Sequence, residues 1–541
     1  MISRKQKKRP IKQIANDFFD YLGRRLPQEC ANDEFYFLPR SETAIRHLGH
    51  LDDLKPEQVQ DHIQYVRNLS AEISSERDED LEGEIDAILL RQSMEGFIRE
   101  FDDAEGWRND PTVYIKIPLF ATDQVISEKG FAPDQRESTL YKIFTQIPPL
   151  FRVAVENLRN VPEISRQLAL DMTMDAIHFF NHGVRAFIEE EMDGSRSLVS
   201  ENRRVLEAWE QYRQQLLQLR SGNHFAVGLD GLKKITAVSF GYTRSPEEIL
   251  EIAQDAYQNT QEKIHDLARK IDRNKTRHHI NYKKLPSITS PNAFMQLYVK
   301  EVQALRRFFY SQDVITFPAG EKVILLETPS YLQSLRATAS YKAPLTGHTK
   351  GHGIFYITPG KKDLELISRH CPYLSAHETY PGHHILDHLR IHHHNPIRRQ
   401  IESPLFYEGW ACYGEQLLDE LGYVLDPRQQ LIQLKRQLWR NLRAMLDVKL
   451  QTGRMTLAQA AKEIQALGFS SKRAQRQVRR FCLTPGYQLC YFMGNYEIDR
   501  LREKFGPRLG LKHFHDTLLG GGEIPFHLVE RRLDVSCQKV D

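Results

Sequence analysis

The stretch LSAHETYPGHHI, residues 374–385, begins like the zinc-peptidase pattern H-E-x-x-H but then departs from it. In that pattern two histidines one helical turn apart bind the metal, and the glutamate between them acts as a base. Here His377 and Glu378 are in place, whereas Pro381 occupies the position of the second histidine and the next histidine is His383. A metal site built from this stretch therefore needs a geometry other than that of a regular helix.

A regular helix cannot bring a later histidine back to His377. His383 lies six residues on, which corresponds to a rise of about 9 Å and a rotation of about 240°. His384 is better placed in rotation, but it lies about two turns, or 10.5 Å, away. Both separations are too large for two imidazoles that bind one ion at about 2 Å.

The Pro-Gly pair changes this geometry. Pro381 removes an amide donor and clashes with the carbonyl four residues earlier, so the helix must kink or restart there. Gly382 permits backbone angles that are closed to other residues, and the pair can act as an inserted bulge. We therefore predict that His377 and His383 flank a distorted turn, with Glu378 beside the metal.

The segment SPLFYEGWACYGEQLLDELG, residues 403–422, supplies the third metal ligand that a catalytic zinc site needs. Glu408 precedes a helical pattern in this segment, and a carboxylate on a second helix completes a site of two histidines and one glutamate. Glu415, two turns later, is predicted to be a hydrogen-bond partner of a ligand histidine. Pro-Gly between two histidines of a helical pattern costs stability, and a chain seldom keeps such a local conflict without a function. The pattern therefore favours a metal site over a chance cluster.

Composition limits the other classes of function. Apolar residues make up 40% and charged residues 27% of the 541 residues, as in soluble globular proteins. The net charge of +3 gives no global reason to bind nucleic acid. Because the sequence has neither a membrane-spanning apolar run nor a signal peptide, we expect a cytoplasmic protein. The six cysteines are expected to be reduced thiols.

Helical periodicity dominates the chain and predicts a mainly α fold. Ser245 and Glu248 form a predicted capping box around Pro246, ahead of a long amphipathic helix. We divide the chain into an N-terminal helical region, 1–285, and a catalytic helical region, 286–541, which together could also form one continuous bilobed fold. A second stripe on one helix face consists of Val205, Trp209, Tyr212, Leu216 and Leu219.

Two segments are predicted to be extended. The first is PTVYIKIPLF, residues 111–120, in which Pro118 argues against a central strand. The second covers residues 353–358 and is bounded by turn signals, including Pro359-Gly360. This second strand is either an exposed edge that pairs with a peptide backbone or a purely structural strand.

The two central segments together resemble the bacterial DUF885 proteins, whose hallmarks are HExxPGHH and EGWAxYxExLxxExG. Residues 377–384 and 408–422 match them, and WRNDPTVYI, IPPLFRVAVENL and PGYQLCYFMG are also similar. More distantly, the chain resembles the thimet-oligopeptidase and helical carboxypeptidase families, which implies a helical fold with a deep cleft. Glu408 follows His383 by 25 positions, as the ligand glutamate of those families does. This resemblance implies that His383 rather than His384 binds the metal.

The resemblance also implies a hydrogen-bond donor for the oxyanion in the C-terminal segment. Tyr491 is the first candidate and Tyr487 the second, although both could merely pack in a helix. Where DUF885 proteins are expected to read PGQ, this chain has Tyr487 after Pro-Gly, which leaves the role of Tyr487 open. His384 could orient a neighbour, contact substrate or be an ordinary core histidine.

These observations predict a metallopeptidase with one zinc ion, bound by His377, His383 and Glu408, that acts on short peptides. Glu378 would be its general base. Two alternatives stay open: a zinc-dependent hydrolase of a non-peptide amide, and a non-catalytic helical protein with a structural metal. The basic segment at residues 1–12 is interpreted as a solvated tail or an anchor to an anionic surface.

Overall fold

A computed structural model of the protein describes residues 9–73, 80–128, 131–272, 288, 290–333, 339–345, 352–358 and 367–540. Helices dominate these residues, so the predicted mainly α fold is confirmed. Most of the basic N-terminal tail and the Pro359-Gly360 pair lie outside them. Arg9, which is described, forms an ion pair with Glu72 at 2.9 Å.

The helices before residue 285 include the two that the sequence marked most clearly. Ser245 accepts a hydrogen bond from Glu248 N, and the Glu248 side chain accepts one from Ser245 N, so the capping box is confirmed. The stripe from Val205 to Leu216 is buried on its helix. These helices are Ile11–Arg25, Pro56–Glu72, Leu81–Ile98, Gly106–Asn109, Thr112–Ser127, Pro133–Asn157, Glu163–His178, Arg185–Glu191, Arg196–Gln218, Gly228–Phe240 and Pro246–Ile271.

The extended segment predicted at residues 111–120 is wrong, because these residues belong to the helix Thr112–Ser127. Nearly every side chain of this helix is buried, and Pro118 lies inside it. A helix buried on all sides shows no amphipathic period, so its apolar run cannot be distinguished from a buried strand by pattern alone.

Five helices after residue 285 carry the residues of the candidate site. They are the first histidine helix (Cys371–Glu378), the second histidine helix (His383–Ile391), the glutamate helix (Pro404–Glu420), the arginine helix (Pro427–Gln451) and the tyrosine helix (Cys490–Leu509). The basic helix (Ser471–Leu483) precedes the tyrosine helix. The remaining helices are Pro291–Gln312, Pro396–Gln400, Leu457–Ala466, Leu511–Leu519 and Phe526–Val540.

Two small sheets accompany the helices. In one, β1 (Val161–Pro162) is parallel to β2 (Ser221–Gly222). In the other, β5 (Gly353–Ile357) lies between β3 (Val323–Glu327), to which it is parallel, and β4 (Ala339–Lys342), to which it is antiparallel. The predicted strand at 353–358 is therefore central, and its interpretation as an exposed edge is wrong, because both of its sides are already paired.

The core connects the two regions that were predicted from the sequence. One cluster of buried apolar side chains includes residues from Ile11 to Cys537, and the division at residue 285 stays a prediction. All six cysteines are buried and free of disulfides. Within the described residues, no helix combines the length and the apolar character that a membrane crossing requires.

Candidate metal centre

The Pro-Gly turn separates two helices and lets their histidines face each other. The first histidine helix ends at Glu378 and the second begins at His383. Gly382 N donates to Ala376 O at 3.0 Å and closes the turn. A Cβ atom on residue 382 would lie 1.9 Å from the carbonyl oxygen of His377, so only glycine permits this approach. As a result, the ring centroids of His377 and His383 lie 4.6 Å apart.

The glutamate helix supports this turn from the side. Pro381, which follows a cis peptide bond, accepts a hydrogen bond from Trp410 Nε1 on its carbonyl oxygen at 2.8 Å. Gly414 faces the same proline, and a Cβ atom there would lie 3.0 Å from Pro381 Cγ. The Trp410 side chain is fully buried. The tryptophan of the second sequence segment therefore fixes the turn of the first.

Three buried side chains converge at the turn. Ligand atoms of His377, His383 and Glu408 all lie within 4.8 Å of one another. Glu408 Oε2 is 3.4 Å from His377 Nε2 and 3.7 Å from His383 Nε2. Within the described part of the chain, this oxygen is buried without a hydrogen-bond donor. Since a buried carboxylate oxygen without a hydrogen-bond donor is costly, and two imidazoles with one carboxylate suit a catalytic zinc ion, these residues fit a bound metal.

Glu415 supports His377 from behind, as the sequence predicted for a ligand histidine. It is fully buried, and its Oε1 lies 2.9 Å from His377 Nδ1. Arg436 donates to both of its oxygens, at 2.9 and 2.7 Å, and Arg440 donates to Oε2 at 3.0 Å. This network holds the imidazole in one orientation with Nε2 toward Glu408.

Tyr407 supports His383 in a different way. The two rings stack with centroids 4.0 Å apart and planes at 15°. The Tyr407 hydroxyl donates to Asp387 Oδ2 at 2.9 Å, and Asp387 also binds Arg390. The stacked ring fixes the plane of the imidazole and shields it from water. Sequence reasoning did not assign a role to Tyr407, although it directly precedes Glu408.

His384 belongs to a separate buried network on the other side of the turn. Its Nε2 lies 3.2 Å from Glu321 Oε2, which also accepts a hydrogen bond from Tyr380 at 2.6 Å. Arg306 donates to the other oxygen of Glu321 at 2.7 Å. Of the roles considered for His384, this arrangement matches a core histidine that anchors the turn. Glu321 carried no signal in the sequence.

The protonation of the ligands is set by their burial and by one another. Burial acts to raise the pKa of Glu408, but contact with His377 lowers it to about 2. Burial lowers the pKa of His383 to about 3. For His377, burial acts in the same direction, yet contacts with Cys412, Glu408 and Glu415 raise its pKa well above its ordinary value. A divalent cation bound between these side chains would replace the proton on His377.

Glu378 stands at the edge of this group and is half-buried. Burial raises the pKa of Glu378 to about 7, with His377 opposing the shift and Glu408 adding to it. Within the described residues its carboxylate forms neither a hydrogen bond nor an ion pair. Glu378 is therefore free to exchange a proton near neutral pH.

The tyrosine helix and the turn before it bring two hydroxyls to Glu408. Tyr487 donates to Glu408 Oε1 at 3.4 Å, and Tyr491 also interacts with this carboxylate. The close approach depends on two glycines at the crossing of the helices, because a Cβ atom on Gly494 would lie 2.7 Å from the Cα atom of Gly409. Both tyrosines therefore adjoin the predicted metal ligand Glu408, and their action as oxyanion donors stays a prediction.

A cavity of about 580 Å³ opens over these residues. The predicted ligands, the predicted base and both tyrosines line it. Further lining residues come from the segment around Asp33, the helices Thr112–Ser127 and Glu163–His178, β4 with Ala343, the glutamate helix with Glu402 before it, and the basic helix with the turn after it. These residues are Asp33, Glu34, Tyr36, Arg40, Thr112, Lys116, Phe120, Leu168, Asp171, Met172, Asp175, Tyr341, Ala343, Glu402, Pro404, Tyr407, Arg476, Arg480, Leu483, Thr484 and Gln488.

A protein-family model described as bacterial proteins of unknown function, DUF885, matches residues 39–533. The chain belongs to the DUF885 family. This DUF885 protein is similar in fold to two solved structures of provisionally named lipoproteins. The structure from Colwellia psychrerythraea has 20% identity and a TM-score of 0.79, and covers 98% of this chain and 99% of its own. The structure from Shewanella oneidensis, of unknown function, has 18% identity and a TM-score of 0.73, and covers 96% and 99%.

Two further comparisons add no function to this DUF885 protein. A protein from Bacillus anthracis, provisionally named oligoendopeptidase F, has 10% identity and a TM-score of 0.29, and covers 91% of this chain and 97% of its own. That TM-score is too low to establish a shared fold. No curated protein matches the sequence significantly.

Proposed function

We propose that this DUF885 protein is a zinc-dependent hydrolase of amide bonds in short peptides. The observation that carries the proposal is the convergence of His377, His383 and Glu408, with the unpaired carboxylate of Glu378 beside them. This set supplies three metal ligands and a base, and it faces a cavity.

His377, His383 and Glu408 would hold the zinc ion, which when bound polarises a carbonyl and lowers the pKa of a bound water toward about 7. Glu378 accepts a proton from the attacking water and passes it to the leaving nitrogen. Tyr491, with Tyr487 as the second candidate, donates a hydrogen bond to the developing oxyanion.

The surrounding residues position this machinery and limit its substrates. Glu415 holds His377, and the Tyr407 ring holds His383, so neither imidazole has to reorganise during the reaction. A cavity of about 580 Å³ falls within the range of small-molecule sites. Its size favours short peptides over folded proteins as substrates.

The proposal is tested by comparing metal content and hydrolysis in two variants. Purified protein should hold one zinc ion per chain and cleave members of a short-peptide library followed by mass spectrometry. Glu378→Gln should retain the zinc and lose about 100-fold to 10,000-fold in rate. Glu420→Gln is the matched control, because Glu420 lies at the exposed end of the glutamate helix and pairs with Arg502.

Full hydrolysis by Glu378→Gln would exclude the proposed role of Glu378. Hydrolysis of small amides without cleavage of any peptide would instead indicate the non-peptide amide hydrolase. A metal bound by four protein ligands, without an open position, would indicate a structural site.

A further inference from the structure

Of the 74 lysines and arginines in the chain, four line the cavity. Arg40 forms an ion pair with Glu402, with 2.9 Å between Arg40 Nε and Glu402 Oε2. Lys116 lies 3.7 Å from Glu34. Arg476 and Arg480, in contrast, form no ion pair or side-chain hydrogen bond with any described residue. Two guanidinium groups in the cavity are therefore available to a ligand.

The basic helix fixes the direction of both arginines. They are four residues apart, which places them on one helix face about 6 Å apart along the axis. The opposite face is anchored by the buried side chains of Ala474 and Val478 in a cluster that includes the arginine helix. Arg479, one position before Arg480, pairs with Asp171 at 3.4 Å. Both arginines are exposed, and the packing of the opposite face holds the helix with their side of it toward the cavity.

One wall of the cavity connects these arginines to the metal ligands. The lining residues of this wall are spaced one, three or four positions apart along the chain. They are Arg476, Arg480, Leu483, Thr484, Tyr487, Gln488 and Tyr491. At the far end of this wall, Tyr487 donates to Glu408. A substrate that reaches from the metal ligands along this wall therefore passes from the tyrosines to Arg480 and then to Arg476.

Other charges in the cavity do not neutralise this pair. Among the described lining carboxylates, Glu402, Glu34 and Asp171 already have cationic partners. Apart from Glu408 and Glu378, the described lining carboxylates without a cationic partner are Asp33 and Asp175. Neither of them lies on the basic helix. The basic helix thus presents a local cationic surface in a cavity that elsewhere carries carboxylates.

We propose that Arg476 and Arg480 form a subsite that binds a carboxylate of the substrate. The planar guanidinium group makes paired, charge-assisted hydrogen bonds to carboxylates, which lysine cannot match. The subsite selects peptides that carry a carboxylate in the fragment that lies along this wall. That fragment is either the leaving or the retained part of the peptide. The carboxylate is either the free C-terminus of the peptide or an acidic side chain. The proposal rests on the proposed function only in taking this cavity as the substrate site.

Binding and hydrolysis of matched peptides test the subsite. The probes are acetyl-trialanine as free acid, its C-terminal amide, and acetyl-Ala-Ala-Glu as amide, so that the two carboxylate sources are separated. Affinity is measured by calorimetry on the full-length Glu378→Gln protein, which does not require turnover, and KM and kcat on wild-type protein. The variants are Arg476→Gln, Arg480→Gln and their combination. Arg473→Gln is the control, because Arg473 lies on the same helix outside the cavity lining.

A peptide that carries either carboxylate should bind at least tenfold more tightly than the trialanine amide. Each single substitution at Arg476 or Arg480 should lower the affinity for that peptide by roughly tenfold to a hundredfold, and in hydrolysis the loss should appear mainly in KM. The affinity for the trialanine amide should stay unchanged. The control Arg473→Gln should change neither the affinity for the carboxylate peptides nor that for the amide. Equal affinity for all three probes, or no binding of any, overturns the subsite. Carboxylate-dependent binding without hydrolysis by wild-type protein would support the subsite and overturn the proposed peptidase.

Discussion

Replacing Glu415 by glutamine keeps the size of this buried side chain and removes its charge. In the folded protein the carboxylate receives hydrogen bonds from Arg436 and Arg440 and contacts His377. Burial acts to raise the pKa of Glu415, but the two arginines lower it well below its ordinary value. Its contribution to stability is therefore complete above about pH 4.3, the unfolded value, and is lost as the pH falls through the lowered pKa.

The size of the effect follows from what the substitution leaves behind. Removing one partner of a buried ion pair costs about 3–5 kcal/mol, because the other charge remains buried. The side chains of Arg436 and Arg440 retain 19% and 9% exposure, and glutamine can still accept one hydrogen bond. We therefore expect a loss of about 2–3 kcal/mol in the free energy of unfolding.

The metal site should weaken separately from the fold. Loss of a residue that orients a ligand histidine typically lowers metal affinity by about 10-fold to 100-fold. Zinc affinity is measured by competition with a chelator, and stability by urea unfolding of metal-free protein, so that metal binding does not enter the stability value. Glu420→Gln, at the exposed end of the same helix, should change stability by less than about 1 kcal/mol. Unchanged zinc affinity in Glu415→Gln would refute the role assigned to Glu415.

Substitutions at three further positions test other parts of the structure. Gly382→Ala should abolish most zinc binding, since its Cβ atom would lie 1.9 Å from His377 O; normal zinc content would contradict the turn geometry. Tyr407→Phe keeps the stacked ring and loses only the hydrogen bond to Asp387, so zinc affinity should fall a few-fold, and much further in Tyr407→Ala; equal losses would exclude stacking as the main effect. Burial lowers the pKa of His515 to about 4, so the free energy of unfolding should fall by up to about 3 kcal/mol from pH 6.5 to pH 4; in His515→Gln that part of the pH dependence should disappear, and an unchanged slope would contradict it.

The three residues that converge could be predicted from a local geometric conflict in the sequence together with the family resemblance, which supplied Glu408 and favoured His383 over His384. Pro381 and Gly382 lie between two histidines in one short stretch, and elementary helix geometry shows that a regular helix fails there. The structure brings His377, His383 and Glu408 together, as predicted. It also explains Gly382 more specifically, because the glycine allows the chain to approach the carbonyl oxygen of His377.

Residues that act from a distance in the sequence could not be predicted. Glu321 lies 63 positions before His384, and nothing in its own segment indicates a contact with the turn. The crossing of two helices at Gly409 and Gly494 depends on packing that no periodicity reveals. The basic helix likewise shows many arginines, and only its placement against the cavity distinguishes Arg476 and Arg480 from the others.

The strand and helix errors have the same physical origin. Residues 111–120 are apolar on every face because the helix that contains them is buried on all sides. The strand at 353–358 was found, but its neighbours β3 and β4 are short, and pairing with them decides whether it lies at an edge. Local pattern predicts an element, whereas its neighbours determine its role.

An anomalous-diffraction map of zinc-loaded crystals, collected on both sides of the zinc absorption edge, tests the metal centre most directly. We predict a single strong peak per chain, about 2.0–2.2 Å from His377 Nε2, His383 Nε2 and a Glu408 oxygen, with the fourth position open to water. A peak coordinated by His384 instead of His383, or no peak between these three side chains in protein that holds zinc, would contradict the site.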